Sequence, residues 1–290
     1  MLGMANISDK QKAFTLVEIL VVIAVIGLLS SIIFAITRGA NEQGRIAKGL
    51  YFDQHLRNGL GAYTLGIWNF DEGSGTTAND TSGWGNNGTI YGAAHAANTP
   101  SVEGYALSFN GSTDYVDINI SPQPVYEVTM SAWIYPNATS GLIIKRAHCD
   151  GIYLSGTTIY YYVKRSDHSS DSFSLGSIQQ GKWNFVAAGV NLNTQKIFLS
   201  VNGNYSEKST GLDNSITLMG TGGDSIGKGT GSDPNCPNGT AFTGLIDEVR
   251  IYERTLSSVR IESQYYVGLE GLLAKKLITK KEYQQRLVRI

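Results

Sequence analysis

The stretch KAFTLVEILVVIAVIGLLSSIIF, residues 12–34, constrains this chain more than any other part of it. Between Phe14 and Ile36 only Thr15, Glu18, Ser30 and Ser31 are polar. At about 1.5 Å per residue a helix over that span reaches roughly 34 Å, enough to cross the hydrocarbon core of a bilayer. A secretory signal would carry a shorter apolar core and a small-residue cleavage site, and FAITRGA makes a poor one. A membrane helix is therefore expected. Lys10 and Lys12 precede it, which places residues 1–13 in the cytoplasm and the remainder outside. Glu18 sits about one turn in, where a carboxylate costs up to roughly 2.5–3.5 kcal/mol at mid-helix and less near an end. Snorkelling to the headgroups would accommodate it; a partner charge would explain it.

The string Ala13, Phe14, Thr15, Leu16, Val17, Glu18, followed by an unbroken apolar run, resembles the prepilin processing site of type IV pilins and of the pseudopilins of type II secretion. The resemblance implies that a prepilin peptidase cuts between Ala13 and Phe14, that the new amino group of Phe14 is methylated, and that Glu18 pairs with that amine on a neighbouring copy. Ala13 stands where those families nearly always have Gly. The implied partners are copies of the chain itself in a helical filament, the peptidase and pilus assembly machinery, and membrane lipid before assembly. The precursor would be a single-pass protein of the inner membrane with its C-terminus outside, and the assembled form an extracellular filament. Beyond Arg38, Ile46, Leu50, Leu56 and Leu60 keep helical intervals until Gly59 and Gly61. The helix is expected over 14–66, with 14–36 as its transmembrane half.

The rest reads differently. With 34 Gly, 16 Tyr and only 6 Pro, short runs such as ALSFN, TMSAWIYP, TIYYYVKR and WNFVAAGVNLN alternate with Asn, Asp and Gly turns, the pattern of an antiparallel sandwich over 67–257. A net charge of −1 and 16% charged residues provide no basic face for nucleic acid. The segments WNFDEGSGTTANDTSGWGNNGTIYG (68–92), ALSFNGSTDYVDI (106–118), AWIYP (132–136), KWNFVAAGV (182–190) and GLIDEVRIYERTLS (244–257) resemble the laminin-G-like, concanavalin A-type jelly roll of bacterial surface proteins. In 258–290 the period changes: Leu269, Leu272, Leu273 and Leu277 form an apolar stripe and Thr279 to Glu282 a capping box, so a short helical hairpin is expected to dock on the head or on an adjacent subunit. The fold class is then α+β: a long N-terminal helix, a jelly-roll sandwich and a C-terminal hairpin.

Folds of this kind host sugar binders and glucanases, and residues must separate them. A retaining glucanase needs two carboxylates about 5–5.5 Å apart, at alternating positions of one strand face. Asp247 and Glu248 are adjacent, which on a regular strand points them to opposite faces, and Asp114 and Asp117 are three apart. No hydrolase is expected. Sugar binding would use exposed rings: Trp84 in the Gly-rich loop SGWGNNG, and Tyr160 and Tyr162, which alternate with Tyr161 along a strand. Trp68, Trp133 and Trp183 fall in strands that are core positions in the family. No cofactor is required, although the resemblance allows calcium, for which Asp71, Asn110, Asp114 and Asp247 offer hard oxygen ligands; the same residues also cap turns. Outside the cytoplasm Cys149 and Cys236 would form a disulfide; the alternative is two separate thiols. The function implied is a structural pilus subunit with a lectin-like head for glycans or surfaces, with a minor tip adhesin and a secretion pseudopilin as alternatives.

Overall fold

Strands form here because β-branched and aromatic residues recur at every second position between turn residues, and such side chains fit a pleated, half-buried surface. The structure, a computed structural model, describes residues 16–30, 63–101, 104–121, 126–146, 150–164, 167, 169–215, 223–229 and 240–287. The chain divides into two units, Met1–Lys48 and Gly49–Ile290. In the first, residues 16–30 form helix α1, whose leucine, valine and isoleucine side chains are exposed on every side. Among the described residues no helix is long and apolar enough to cross a membrane. The described part of α1 reaches roughly 22 Å, and the rest of the expected 14–66 helix up to Ala62 lies outside the described residues.

The second unit is a sandwich of two antiparallel sheets. Sheet A runs in the order β14 (Asn204–Ser209), β13 (Lys196–Val201), β12 (Asn184–Asn191), β7 (Glu127–Pro136), β16 (Thr243–Tyr252), β5 (Ala106–Asn110), β4 (Ala94–Ala96), with β1 (Thr64–Trp68) also paired to β16. Sheet B runs β11 (Ser170–Gly176), β10 (Thr158–Lys164), β9 (Asp150–Ser155), β8 (Ser140–Arg146), β15 (Asp224–Ile226), β6 (Tyr115–Ile118), β3 (Gly88–Tyr91), β2 (Thr77–Ala78). First and last strands meet, Thr64 opposite Tyr252 and Trp68 opposite Val249. The head therefore begins three residues before the expected 67. Leu65 and Trp68 are fully buried there, and that pairing outweighs the weak helical spacing of the leucines before it.

Trp68, Phe109, Tyr161 and Phe242 lie in the core between the sheets. A second core lies on the other face of sheet A, where Trp133, Trp183, Phe185 and Phe198 are covered by α2 (Ser258–Ala274) and α3 (Lys280–Leu287). The expected hairpin is thus present and docks on the head, but its first helix is long, at 17 residues. Tyr265 stacks on Trp133 with centroids 5.7 Å apart, and Thr279 Oγ1 caps α3 by accepting from Glu282 N at 3.1 Å. Of the expected stripe, Leu269 and Leu272 are buried, whereas Leu277 is 43% exposed because α2 ends at Ala274 and the chain turns through Lys276 at positive φ.

Two glycines let α2 come this close. A Cβ on Gly268 would lie 2.3 Å from Trp133 Nε1, and one on Gly271 1.8 Å from the Pro100 carbonyl oxygen. Gly268→Ala, which in an exposed helix would stabilise, is expected instead to destabilise by about 1–3 kcal/mol. Chemical denaturation of the full chain followed by tryptophan fluorescence checks this; an unchanged or raised midpoint would contradict the close-packing account.

Candidate functional site

The register of sheet B sorts its aromatic residues by face. Ile90, Val116, Ile226, Ile144, Ile152 and Tyr161 lie on one line of partners across β3, β6, β15, β8, β9 and β10, and all are buried between the sheets. One residue along, the side chains of β3, β6, β9 and β10 point to the other face, while β8 breaks step at the register shift between Leu142 and Ile144, where Ile143 stays in the core. That next line carries Tyr91 opposite Tyr115 at one end and Tyr153 opposite Tyr160 at the other. Five strand spacings of about 4.8 Å put Tyr91 and Tyr160 roughly 24 Å apart. Tyr91 and Tyr115 stack with centroids 4.6 Å apart, and Tyr91 is 45% exposed. Tyr160 is 40% exposed with half-buried Tyr162 beside it on the same face, opposite Ser174 and Ser172 of β11. Between the two patches the turn after β15 crosses the sheet, with Gly229 against Leu142 and Lys145.

Of the rings expected at a recognition surface, Tyr160 and Tyr162 therefore share the outer face, while Tyr161 is fully buried. Tyr91 and Tyr115 were not among them; Tyr153, on the same line, is buried at 7% exposure. Period-two alternation in GTIY and YVDI puts Tyr91 and Tyr115 on the outer side once the valine and isoleucines are assigned inward, but their stacking depends on β3 pairing with β6 across 23 intervening residues. Trp84 is also exposed, at 48%, but elsewhere. Its loop joins β2 to β3 at the far edge of the sheet from β10. Asp80 builds that loop by accepting from Ile67 N at 3.0 Å, Ser82 N at 2.8 Å and Asn86 N at 2.9 Å. Asn86 anchors it by donating to Leu65 O at 2.6 Å and accepting from buried Trp68 Nε1 at its carbonyl, 3.0 Å. Trp68, Trp133 and Trp183 are buried.

The four candidate calcium ligands fall into two groups. Asn110 and Asp114 close the β5–β6 turn: Asn110 Oδ1 accepts from Ser112 N and Thr113 N, and Asp114 Oδ2 accepts from Asn110 N. Asp71 Oδ1 accepts from Tyr105 N at 3.1 Å, and burial with the charge of Glu248 nearby raises its pKa. Asp247 is completely buried, its oxygens taken by the Thr99 hydroxyl and Glu248 N. Burial first, then Glu248, drives its pKa well up. Among the described residues no three His, Cys, Asp or Glu side chains are placed to hold a metal.

Glu248 also corrects one sequence inference. Its φ is +51° and the β16 register shifts between Asp247 and Arg250, so strict alternation does not hold at this bulge. Opposite-face geometry is thus not what disqualifies the pair. Burial of Asp247 does, together with the ion pair of Glu248 with Arg250 at 2.8 Å.

Beneath Tyr160 and Tyr162 the same strands bury charge. Asp150 Oδ1 accepts from Lys164 N at 2.6 Å, and Arg146 Nη1 lies 3.8 Å from Asp150 Oδ2. Burial pushes Asp150 up to about 7, opposed by Arg146 and reinforced by Asp224. Glu18 lies in α1 with an exposed side chain. Ala13, Phe14, Cys149 and Cys236 lie outside the described residues.

A family model described as the concanavalin A-like lectin/glucanases superfamily matches residues 110–262, and one described as the prokaryotic N-terminal methylation motif matches residues 8–34. The chain thus joins a methylation motif of the type IV pilin kind to a concanavalin A-like domain. No curated protein matches it. Among solved structures it is similar to the binding domain of Paraclostridial Mosquitocidal Protein 1 (14% identity, TM-score 0.57, 71% of this chain and 52% of that one). It is also similar to the binding domain of botulinum neurotoxin serotype D (14%, 0.55, 73% and 53%) and to that of botulinum neurotoxin DC (13%, 0.54, 72% and 52%). The chain spans about half the length of these structures, and the likeness is one of fold.

A carboxyl whose folded-state pKa is raised binds its proton more tightly when folded, so its contribution to stability is lost as pH rises from about 4 towards 7. Asp150→Asn is expected to flatten that part of the stability–pH curve, while Asp247, raised in the same sense, keeps its share. Denaturation midpoints of both proteins between pH 4 and 8 check this; parallel curves would place the sensitivity elsewhere.

Proposed function

The chain belongs to the concanavalin A-like lectin/glucanases superfamily, and on that premise we propose that it is a subunit of an extracellular type IV pilus or pilin-like filament, polymerising through its N-terminal helix and displaying a lectin-like head for adhesion to glycans or glycan-bearing surfaces. The observation that carries this proposal is the presence in one chain of the methylation motif over 8–34 and of a head whose outer sheet face bears two exposed aromatic patches. Stacked or flat-lying rings suit the apolar faces of sugar rings, and the serines of β11 beside Tyr160 and Tyr162 supply hydroxyls. Two patches roughly 24 Å apart favour an extended polymer over a small solute. A domain of similar fold, that of botulinum neurotoxin DC, is seen in complex with SialylT, which supports a search among glycans.

Binding without hydrolysis agrees with the placement of the acids. Asp247 is sealed and Asp114 holds a turn, so neither is poised as one of the paired carboxylates a glycosidase uses. A piston-type pseudopilin would have no use for the exposed rings. The N-terminal half of the proposal rests on electrostatics: a peptidase cut before Phe14 creates an amine, and that amine and Glu18 are each costly in lipid but favourable together once a second helix lies alongside. No cofactor is required.

Glu18→Ala is expected to insert in the membrane and to carry the same processed, methylated N-terminus by mass spectrometry, yet to lower filament yield by more than about tenfold, since one buried charge is left without its partner. Normal filaments from that variant would refute the pairing. On a glycan array the full chain, held in a detergent that carries no sugar headgroup, is expected to bind, and Tyr91→Ala with Tyr160→Ala to weaken binding roughly tenfold or more. Binding that survives both changes and disappears in Trp84→Ala would move recognition to the β2–β3 loop.

A further inference from the structure

A cavity of about 240 Å³ opens where the α2–α3 turn meets the edge of the second core, on the side of the head away from the tyrosine patches. It lies against α3, which the family match over 110–262 does not reach. Two rings line it: Tyr135 meets Trp183 edge-on with centroids 5.7 Å apart. Trp183 Nε1 already donates to Asn98 Oδ1 at 2.9 Å and the indole is buried, so it backs the cavity wall while half-buried Tyr135 supplies the open ring surface. Leu277 and Ile278 add apolar wall.

The polar side of the cavity is unevenly used. Lys182 Nζ and Arg286 Nη2 both donate to the same oxygen, Glu282 Oε1, at 3.1 and 2.9 Å. Arg286 Nη1 donates to the Trp183 carbonyl oxygen at 2.8 Å, which fixes the guanidinium. Burial alone would raise the Glu282 pKa, but the hydrogen bonds from the two cations outweigh it and hold it low, so the carboxylate is ionised. Among the described residues Glu282 Oε2 and the Tyr135 hydroxyl have no protein partner, and two of the three Lys182 protons are uncommitted. An acceptor and a donor thus stand side by side next to aromatic rings.

We propose that this cavity is a second binding site, for a single sugar ring. A pyranose has an apolar C–H face, which suits the half-buried ring of Tyr135 and the apolar wall beside it, and adjacent hydroxyls that can donate to Glu282 Oε2 and accept from Lys182 Nζ. The volume lies just below the roughly 300–1,000 Å³ of pockets for drug-sized ligands. It takes one ring and no oligosaccharide. A fatty chain would leave the charged side desolvated, and a peptide strand would find no open sheet edge here. The proposal is independent of the tyrosine patches, which lie on the other sheet.

The test is saturation-transfer NMR on the full chain in a detergent without a sugar headgroup, with the methyl glycosides of glucose, galactose and mannose as probes at millimolar concentration. At least one is expected to receive saturation. Leu277→Trp, which fills the mouth from an exposed position, is expected to abolish the signal; Tyr135→Phe and Glu282→Gln, which keep shape, are expected to weaken affinity roughly tenfold or more each. Tyr91→Ala with Tyr160→Ala should leave it unchanged. No transfer to any probe, or transfer that survives Leu277→Trp, would overturn the proposal, and loss only in the tyrosine variant would assign the binding to sheet B. An unchanged far-UV circular dichroism spectrum and denaturation midpoint in Leu277→Trp show that a lost signal is not a lost fold.

Discussion

Trp133 against Tyr265 is the contact on which the head's organisation turns. Sheet A is apolar on both faces. Its inner side packs on sheet B, and its outer side presents Trp133, Trp183, Phe185 and Phe198, too much large apolar surface to leave in water. The chain covers that face with its own C-terminal helices, and the glycines at 268 and 271 let α2 settle directly on the indole and on the 100–101 backbone. A two-layer sandwich thereby becomes a three-layer one. Exposed rings remain on sheet B at Tyr91 and Tyr160, and the seam where α3 meets the sheet leaves the cavity beside Trp183.

Buried charge follows the same division. Arg146, Asp150 and Asp224 lie between the sheets beneath the exposed tyrosines, and Asp247 lies between sheet A and the loop that carries Thr99. Isolated charges there would cost several kcal/mol each, so each is tied to a backbone amide or an opposite charge: Asp150 to Lys164 N and Arg146, Asp224 to Ile120 N, Asp247 to Glu248 N. These groups fix where strands end and bend. They are poor candidates for chemistry because they are buried, although among the described residues Asp150 Oδ2 accepts no hydrogen bond and has only Arg146 Nη1 at 3.8 Å.

Much of this was legible in the sequence, and the failures have physical causes. Alternation placed Tyr160, Tyr161 and Tyr162 on opposite faces, and the tryptophans at 68, 133 and 183 read as core because they sit in strand-like runs that are core positions in the resembled family. Thr279 and Glu282 marked the start of α3, a local signal that needs no tertiary context. What depended on pairing was hidden. The Tyr91–Tyr115 stack joins strands that the β5 segment separates in sequence, the first strand's start at Thr64 is set by its partner in β16, and the bulge at Glu248 breaks the period on which the carboxylate reasoning rested. The cavity at Glu282 was beyond reach for the same reason, since it is assembled from segments near residues 98, 135, 182 and 282.

The N-terminal segment poses the opposite problem: its local chemistry is explicit and its context is supplied by other molecules. Helix α1 is apolar all round, and a helix of that kind is stable only where other apolar matter surrounds it. Lipid meets that need for every residue except Glu18. A packed array of identical helices meets it for all of them, provided that each copy brings a cation to the depth of its neighbour's carboxylate. In the proposed assembly a processed amine at Phe14 would be such a cation, existing only after the leader is cut away. In the proposed filament the same sequence would be held in the membrane before processing and drawn towards its own copies afterwards.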